Sequence, residues 1–270
     1  MPELLVSSRG WLILAAALLG IALAGCSSTT KSATPSTSAT TAPASTSTSA
    51  TIGTTSTSTS TSTPLPSIAP YLALWPFRTV VDVQSWQQAY SSTGSGSWHL
   101  SAQTTALDFT MDYLGFTEIN TVVGTTLNTT GAHIAVGFRP TSSVTSTSAV
   151  VHLVRWGTGS DAPWEVVGTD DTTFSLTIPA YGATASSPLH VGGAITGADE
   201  SISVMVRQPS TSTAIGSFCC TPAGGSGSPW SATVSFAGAT DPVLTVAAAT
   251  GGHVQAVERF TVTGVRSPPR

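Results

Sequence analysis

Residues 101–115 read SAQTTALDFTMDYLG, and this stretch decides the fold expected for the segment around it. Ser101 is a candidate helix N-cap, because its hydroxyl can accept a hydrogen bond from the backbone of the first turn. Four largely apolar side chains then recur at helical spacing: Ala102, Ala106, Phe109 and Tyr113. Gly115 supplies a C-terminal stop. We predict an amphipathic helix whose apolar stripe packs against a sheet.

A second helix is indicated just before it. Thr79 is a candidate N-cap with Asp82 three residues later, a variant of the capping box. Val80, Val83, Trp86, Gln87 and Tyr90 follow at helical spacing. The glycine-serine stretch 91–97 ends this helix.

Short β-branched or aromatic runs follow the helices. They are Phe116–Val123, His133–Phe138, Val150–Trp156, Trp164–Gly168 and Phe174–Ile178, separated by turn residues. Helices first and strands afterwards predict an α+β domain over residues 69–180, with two helices and an antiparallel sheet.

Residues 187–266 show no helical period and contain six or seven alternating apolar runs, which is the pattern of an all-β sandwich. Four stretches, SPLHVGG (187–193), ISVMV (202–206), WSATVSF (230–236) and LTV (244–246), precede a glycine pair at 251–252. Together they resemble the immunoglobulin-like domain of bacterial spore-germination proteins. The resemblance implies an immunoglobulin-like sandwich in an envelope lipoprotein, beside a second α+β domain, with no catalytic residues to transfer.

We predict an export signal at the N-terminus. Leu23-Ala24-Gly25-Cys26 closes an apolar stretch that begins at Trp11 and is too short to span a bilayer. This tetrapeptide resembles the lipobox of bacterial lipoproteins. The resemblance implies removal of residues 1–25, lipidation of Cys26 and anchoring at the outer face of the cell membrane. The alternative is an ordinary secretory signal with an incidental cysteine.

Residues 26–68 consist almost wholly of Ser, Thr, Ala and Pro. Such a segment cannot bury enough apolar surface to offset the entropy lost on ordering. We expect a disordered tether between the membrane and the folded part.

Charge and cysteine content narrow the function classes. The chain has 9 basic and 13 acidic residues, and only 8% of its residues are charged. A nucleic-acid-binding protein needs clustered cations, so we expect no nucleic-acid partner. Apart from Cys26, the chain has only the adjacent cysteines Cys219 and Cys220. They form either a vicinal disulfide in an oxidising compartment or two small buried hydrophobic side chains.

No pattern in the sequence indicates metal binding or catalysis. No histidine pair has a spacing that places two imidazoles on one metal ion. His152 is interpreted as a core histidine, whereas His133, His190 and His253 are expected at strand ends or turns. We therefore predict no metal, no cofactor and no enzymatic activity.

Aromatic residues of the first domain are the remaining candidates for a binding site. The expected ligand groove comprises Trp86, Trp98, His99, Tyr113 and Phe116, and the competing interpretation is a tryptophan-rich core. The leading functional hypothesis is a protein-interaction or scaffolding module with an envelope protein partner. The alternative is a receptor for cell-wall glycan or a small ligand in this groove. An enzymatic role would need His99, Asp108 and Asp112 to converge.

Overall fold

The computed structural model of the protein describes residues 67–129, 131–141 and 144–268, which all belong to one compact unit. The predicted signal peptide 1–25, Cys26 and the tether as far as residue 66 lie outside the described residues. Within the described ranges, no helix has both the length and the apolar character needed to cross a bilayer.

Both predicted helices are present. Helix α1 spans Val80–Thr93 and helix α2 spans Ala102–Asp108, which continues as a π-helical turn over Phe109–Tyr113. Thr79 and Asp82 form a complete capping box at α1. Local hydrogen bonding of side chains to the backbone therefore sets where these helices begin.

The apolar stripe of α2 is buried as predicted. Ala106 and Phe109 are fully buried, and Tyr113 is nearly so. Ser101 caps the helix through a hydrogen bond from the Thr104 backbone N–H. Gly115 follows the π-helical turn with a φ of 84°, a left-handed conformation that suits glycine. The stripe packs against the first sheet.

The first sheet, sheet I, is an antiparallel meander in the order β1-β2-β3-β4. Its strands are β1 Thr121–Leu127, β2 Gly131–Thr141, β3 Val144–Arg155 and β4 Trp164–Thr169. The predicted strand Phe116–Val123 was wrong in its first half. Residues 116–119 form a turn closed by a hydrogen bond from Ile119 N–H to the Phe116 carbonyl, because both side chains are buried in the core.

The second sheet, sheet II, is antiparallel in the order β6-β5-β7-β8. Its strands are β5 Leu189–Arg207, β6 Gly216–Val234, β7 Val243–Gly251 and β8 Arg259–Arg266. The prediction of six or seven short strands was wrong here, because β5 and β6 each join two of them. The polar stretch in the middle of β5 stays in the strand through register shifts on either side of Gly197.

The predicted strand Phe174–Ile178 is not a strand of either sheet. It pairs with β5 only through isolated bridges, Phe174 to Ile195 and Ile178 to Gly192. The two helices and the antiparallel, mostly β architecture are confirmed.

Sheet II separates two hydrophobic cores. Ala247 and Ala249 of β7 belong to the core shared with α2 and sheet I. Val246 and Ala248 of the same strand belong to a second core with β5, β6 and Phe174. Strand β7 is therefore buried on both faces.

Candidate functional site

Two histidines meet on the outer face of sheet I. His133 of β2 and His152 of β3 are direct partners in the antiparallel register. Their neighbours in sequence, such as Ile134 and Leu153, point into the core and are fully buried. Because side chains alternate along a strand, both imidazoles lie on the opposite face. Their rings are stacked, with centroids 4.4 Å apart and planes 14° apart.

Asp170 completes this cluster from the end of β4. Its carboxylate oxygen Oδ2 lies 2.7 Å from Nδ1 of His133. Its own backbone N–H donates to the Val150 carbonyl at 2.9 Å, which fixes the position of the residue beside β3. His133, His152 and Asp170 each offer one ligand atom, and these atoms all lie within 4.8 Å of one another.

Tyr71 covers His152 from the side. The two rings contact edge to face with centroids 5.2 Å apart. Burial lowers the pKa of His152, and the neighbouring His133 lowers it further, while Asp170 opposes both effects. The imidazole of His152 therefore favours its neutral form, with a free nitrogen lone pair.

A cavity of about 460 Å³ is lined in part by Tyr71 and His152. Its remaining wall is rich in hydroxyls and includes Thr169, Thr177, Thr261, Thr263, Tyr181 and Asp171. Tyr181 is held in place because its hydroxyl accepts a hydrogen bond from the Leu72 N–H at 2.7 Å. This wall offers hydrogen-bonding groups beside two aromatic rings.

A second cavity, of about 510 Å³, is lined by the same two residues. Its wall includes His133, Asn128 and Arg155. We name the two cavities together the Tyr71–His152 cleft, because Tyr71 and His152 line both of them. The histidine and aspartate cluster thus borders a bipartite cleft.

The predicted aromatic groove is only partly assembled. His99 is buried, and its ring stacks on Trp98 at 3.6 Å and contacts Trp86 at 5.1 Å. Trp75 links Trp98 to Tyr113 by stacking on both rings. Phe116 lies apart from this group and contacts Phe260 in the core.

A smaller cavity of about 300 Å³ touches this aromatic group at Trp75 and Tyr113. Arg207 lies over the Tyr113 ring, 5.0 Å from its centroid, and also lines the cavity. Trp86, Trp98 and His99 do not line it. Most of the predicted groove therefore packs as part of the protein interior.

The three residues considered for catalysis are not joined in one site. His99 is enclosed by the rings of Phe77, Trp86 and Trp98. Burial lowers its pKa to about 4. Asp108 ends α2 and Asp112 lies in the π-helical turn that follows. Burial, and then the charge of Asp112, raise the pKa of Asp108.

The cysteine pair lies within β6. Cys219 and Cys220 are joined by a disulfide bond, and both residues are exposed. The structure therefore has the vicinal disulfide and does not have two buried hydrophobic side chains at these positions.

Sequence reasoning missed the histidine and aspartate cluster because it compared only neighbouring positions. The structure corrects the interpretation of His152 as a core histidine, since the residue is half-buried on the outer face. One signal was present in the chain. His133 and His152 lie at equal distances from the connection between β2 and β3, so a simple hairpin register pairs them.

Comparison with known proteins gave no further guide to this site. No family model, curated protein or solved structure matches the chain.

Proposed function

We propose that this protein is a lipid-anchored receptor of the bacterial cell envelope that binds cell-wall glycan or a related small polar ligand in the Tyr71–His152 cleft. Lipidated Cys26 would hold it at the outer face of the cell membrane, and the Ser/Thr-rich tether would extend the folded part away from the lipid. The observation that carries the proposal is a pair of cavities with Tyr71 and His152 as their common wall.

The size of the cleft suits a small molecule. Ligand sites in proteins are typically concave spaces of about 300–1,000 Å³, and the cavities measure about 460 and 510 Å³. Each could hold one part of an extended ligand such as an oligosaccharide. Tyr71 is 38% exposed, so its ring remains available to such a ligand.

The chemistry of the wall suits a sugar. The rings of Tyr71 and Tyr181 can cover the apolar face of a sugar ring, while threonine hydroxyls and the Asp171 carboxylate can bond its hydroxyls. The site differs from the groove expected near Trp98, because Trp98 and its neighbours mainly contact one another.

The proposed activity is binding without catalysis. The residues considered for an enzymatic role do not form one group, since His99 is enclosed by aromatic rings away from the cleft walls. The Tyr71–His152 cleft instead presents groups that orient and bond a ligand.

The experiment is a calorimetric titration of the full chain with soluble glycan fragments, which are released from cell walls by muramidase. We expect saturable binding that weakens at least tenfold in Tyr71→Ala. Tyr90→Ala is the matched control, because Tyr90 is a half-buried tyrosine that stacks on Trp86 and does not line the cleft. Binding that is equal in wild type and Tyr71→Ala, or absent from both, would reject the proposal.

A protein-interaction role is the second candidate, and the position of β6 favours it. β6 is at the edge of sheet II and pairs with β5 alone among the sheet's strands. An edge strand of 19 residues can accept a strand from a partner protein. Crosslinking of whole envelopes, with and without a Ser217→Pro substitution on this strand, would detect such a partner.

We further propose that sheet II belongs to an immunoglobulin-like sandwich of the spore-germination type. The support is that the quoted stretches 187–193, 202–206, 230–236 and 244–246 fall on β5, β6 and β7, with only short extensions beyond them. An experimental structure of the full chain with a different strand order would reject this proposal.

A further inference from the structure

We propose that His133, His152 and Asp170 form a binding site for a divalent transition-metal ion, with Zn²⁺ as the best match to their donor atoms. Two imidazole nitrogens and one carboxylate oxygen are donors that zinc uses in proteins. The three ligand atoms lie within 4.8 Å of one another. The inference does not rest on the ligand proposed for the cleft.

The distances are close to those of a zinc site. With bonds of about 2.0–2.1 Å in a tetrahedral arrangement, two ligand atoms lie roughly 3.3 Å apart. The pair His133 Nδ1 and Asp170 Oδ2, at 2.7 Å, is slightly closer than this, and the largest separation in the group is below 4.8 Å. Small side-chain rotations would place all three donors around one ion.

The backbone already holds the three residues together. His133 and His152 are register partners on β2 and β3. Asp170 directly follows β4 and is tied to β3 by its hydrogen bond to Val150. Sites built on sheet strands keep their geometry better than sites on loops. Metal binding would therefore need rotamer changes and no rearrangement of the fold.

Access and charge also fit a cation. The side chains of His133 and Asp170 are 35% and 37% exposed, so an ion can reach them from solvent. Asp171, an exposed neighbour that lines the cavity of about 460 Å³, adds a second negative charge. Three protein ligands would leave one coordination position for water or for a ligand donor. Because His152 lines both cavities, the ion would lie at the cleft.

The competing role of the cluster is a structural hydrogen bond between His133 and Asp170. That role needs nothing from His152, which is linked to His133 by ring stacking. The two roles are separated by a variant of His152, since only the metal site uses its nitrogen.

The test uses the full chain without a histidine tag, freed of metal by a chelator and kept non-reducing so that Cys219 and Cys220 stay oxidised. Zn²⁺ is titrated by calorimetry, and Co²⁺ is added separately as a spectroscopic probe. We expect one ion per chain and a visible absorption band of cobalt with nitrogen and oxygen ligands. We expect affinity to fall at least tenfold in His133→Ala, His152→Ala and Asp170→Asn.

His190→Ala is the matched control, because His190 is an exposed strand histidine outside the cluster, and its affinity should equal that of wild type. His152→Gln, checked by circular dichroism, replaces His152→Ala if the latter does not fold. Absence of zinc binding in wild type, or equal affinity in wild type and the folded His152 variant, would overturn the proposal. Glycan binding is measured in a separate titration with a chelator present. A failure of the glycan proposal is therefore distinguishable from a failure of the zinc proposal.

Discussion

His133 and His152 lie directly opposite each other on β2 and β3, with their imidazole rings parallel and 4.4 Å apart. The residues that follow them, Ile134 and Leu153, are fully buried on the other face of the same sheet. One hairpin therefore builds the core with one face and brings two imidazole side chains together on the other. The register that buries the apolar residues is also the register that pairs the histidines.

Zinc should stabilise the folded chain if this pair and Asp170 bind it. A ligand that binds only the folded state, and is present at a free concentration of 100 times its Kd, adds about 2.7 kcal/mol to the free energy of unfolding. For a folded part of about 200 residues, this corresponds to a rise in Tm on the order of 5 °C. Scanning calorimetry with and without Zn²⁺ measures the shift.

The same scan on His152→Gln and His190→Ala provides the contrast. His190→Ala should show the full rise and His152→Gln should show little or none. A rise of equal size in both variants would mean that zinc stabilises the protein through other residues.

Local signals in the sequence sufficed for the helices. Thr79 and Ser101 cap their helices through bonds to residues three positions away, so the pattern that predicts them is contained in one turn. The α2 stripe was equally readable, because its spacing reports the buried face directly.

Longer-range features could not be predicted in the same way. Polar, glycine-containing stretches were interpreted as turns, but β5 crosses one of them through bulges at Gly197 because both sides pair with β6. The Tyr71–His152 cleft joins residues more than 80 positions apart in the chain, such as Tyr71 and Thr169. Spacing rules that compare near neighbours cannot detect such a site.

Glu165 should make the protein less stable as the pH rises. Its carboxyl group on β4 is fully buried, and burial is the main cause that raises its pKa well above 4.5. The folded state therefore holds the proton more tightly than the unfolded chain. The resulting stability is complete below pH 4.5 and is lost as the pH rises through the pKa of the folded state.

Urea unfolding of wild type and Glu165→Gln at several pH values checks this expectation. The neutral amide can still accept the hydrogen bond from the Phe77 N–H that Glu165 Oε2 accepts at 3.2 Å. We expect the variant to lose less stability than wild type between pH 5 and 9. Asp161→Asn, at an exposed carboxyl, should follow the wild-type curve. Identical curves for wild type and Glu165→Gln would contradict the prediction.

His99 should make the protein less stable as the pH falls. Burial lowers its pKa to about 4 from an ordinary 6.5, so the unfolded chain binds more protons between these values. Stability from the neutral, buried ring is present above pH 6.5 and is lost as the pH falls towards 4. Between pH 7.5 and pH 5 the loss should be on the order of 2 kcal/mol.

His99→Phe keeps an aromatic ring among Phe77, Trp86 and Trp98 but cannot be protonated. Unfolding free energies at pH 7.5 and 5 should differ less for this variant than for wild type. His190→Phe, at an exposed position, should leave the difference unchanged. The idea fails if His99→Phe has the acid sensitivity of wild type.

The disulfide between Cys219 and Cys220 should contribute little to folding. Both residues are exposed on the edge strand β6, so serine at both positions removes no buried contact. We expect Cys219→Ser/Cys220→Ser to change the free energy of unfolding by less than about 0.5 kcal/mol. In wild type, both thiols should react with an alkylating agent only after reduction, as measured by intact mass. Alkylation without reduction would show that the bond is absent.

A variant of Phe260 tests whether the sequence-predicted segments 69–180 and 187–266 unfold together. Phe260 is 1% exposed and contacts Phe116 with ring centroids 5.3 Å apart, which joins the two segments in one core. Phe260→Ala should cost about 3–5 kcal/mol, as truncation of a buried aromatic residue does. Because the core is shared, we expect both segments to lose protection from hydrogen exchange at the same urea concentration, which should be lower in the variant than in wild type. Hydrogen exchange followed by mass spectrometry resolves the two segments. Loss of protection in 187–266 with 69–180 unaffected would show that the segments are independent domains.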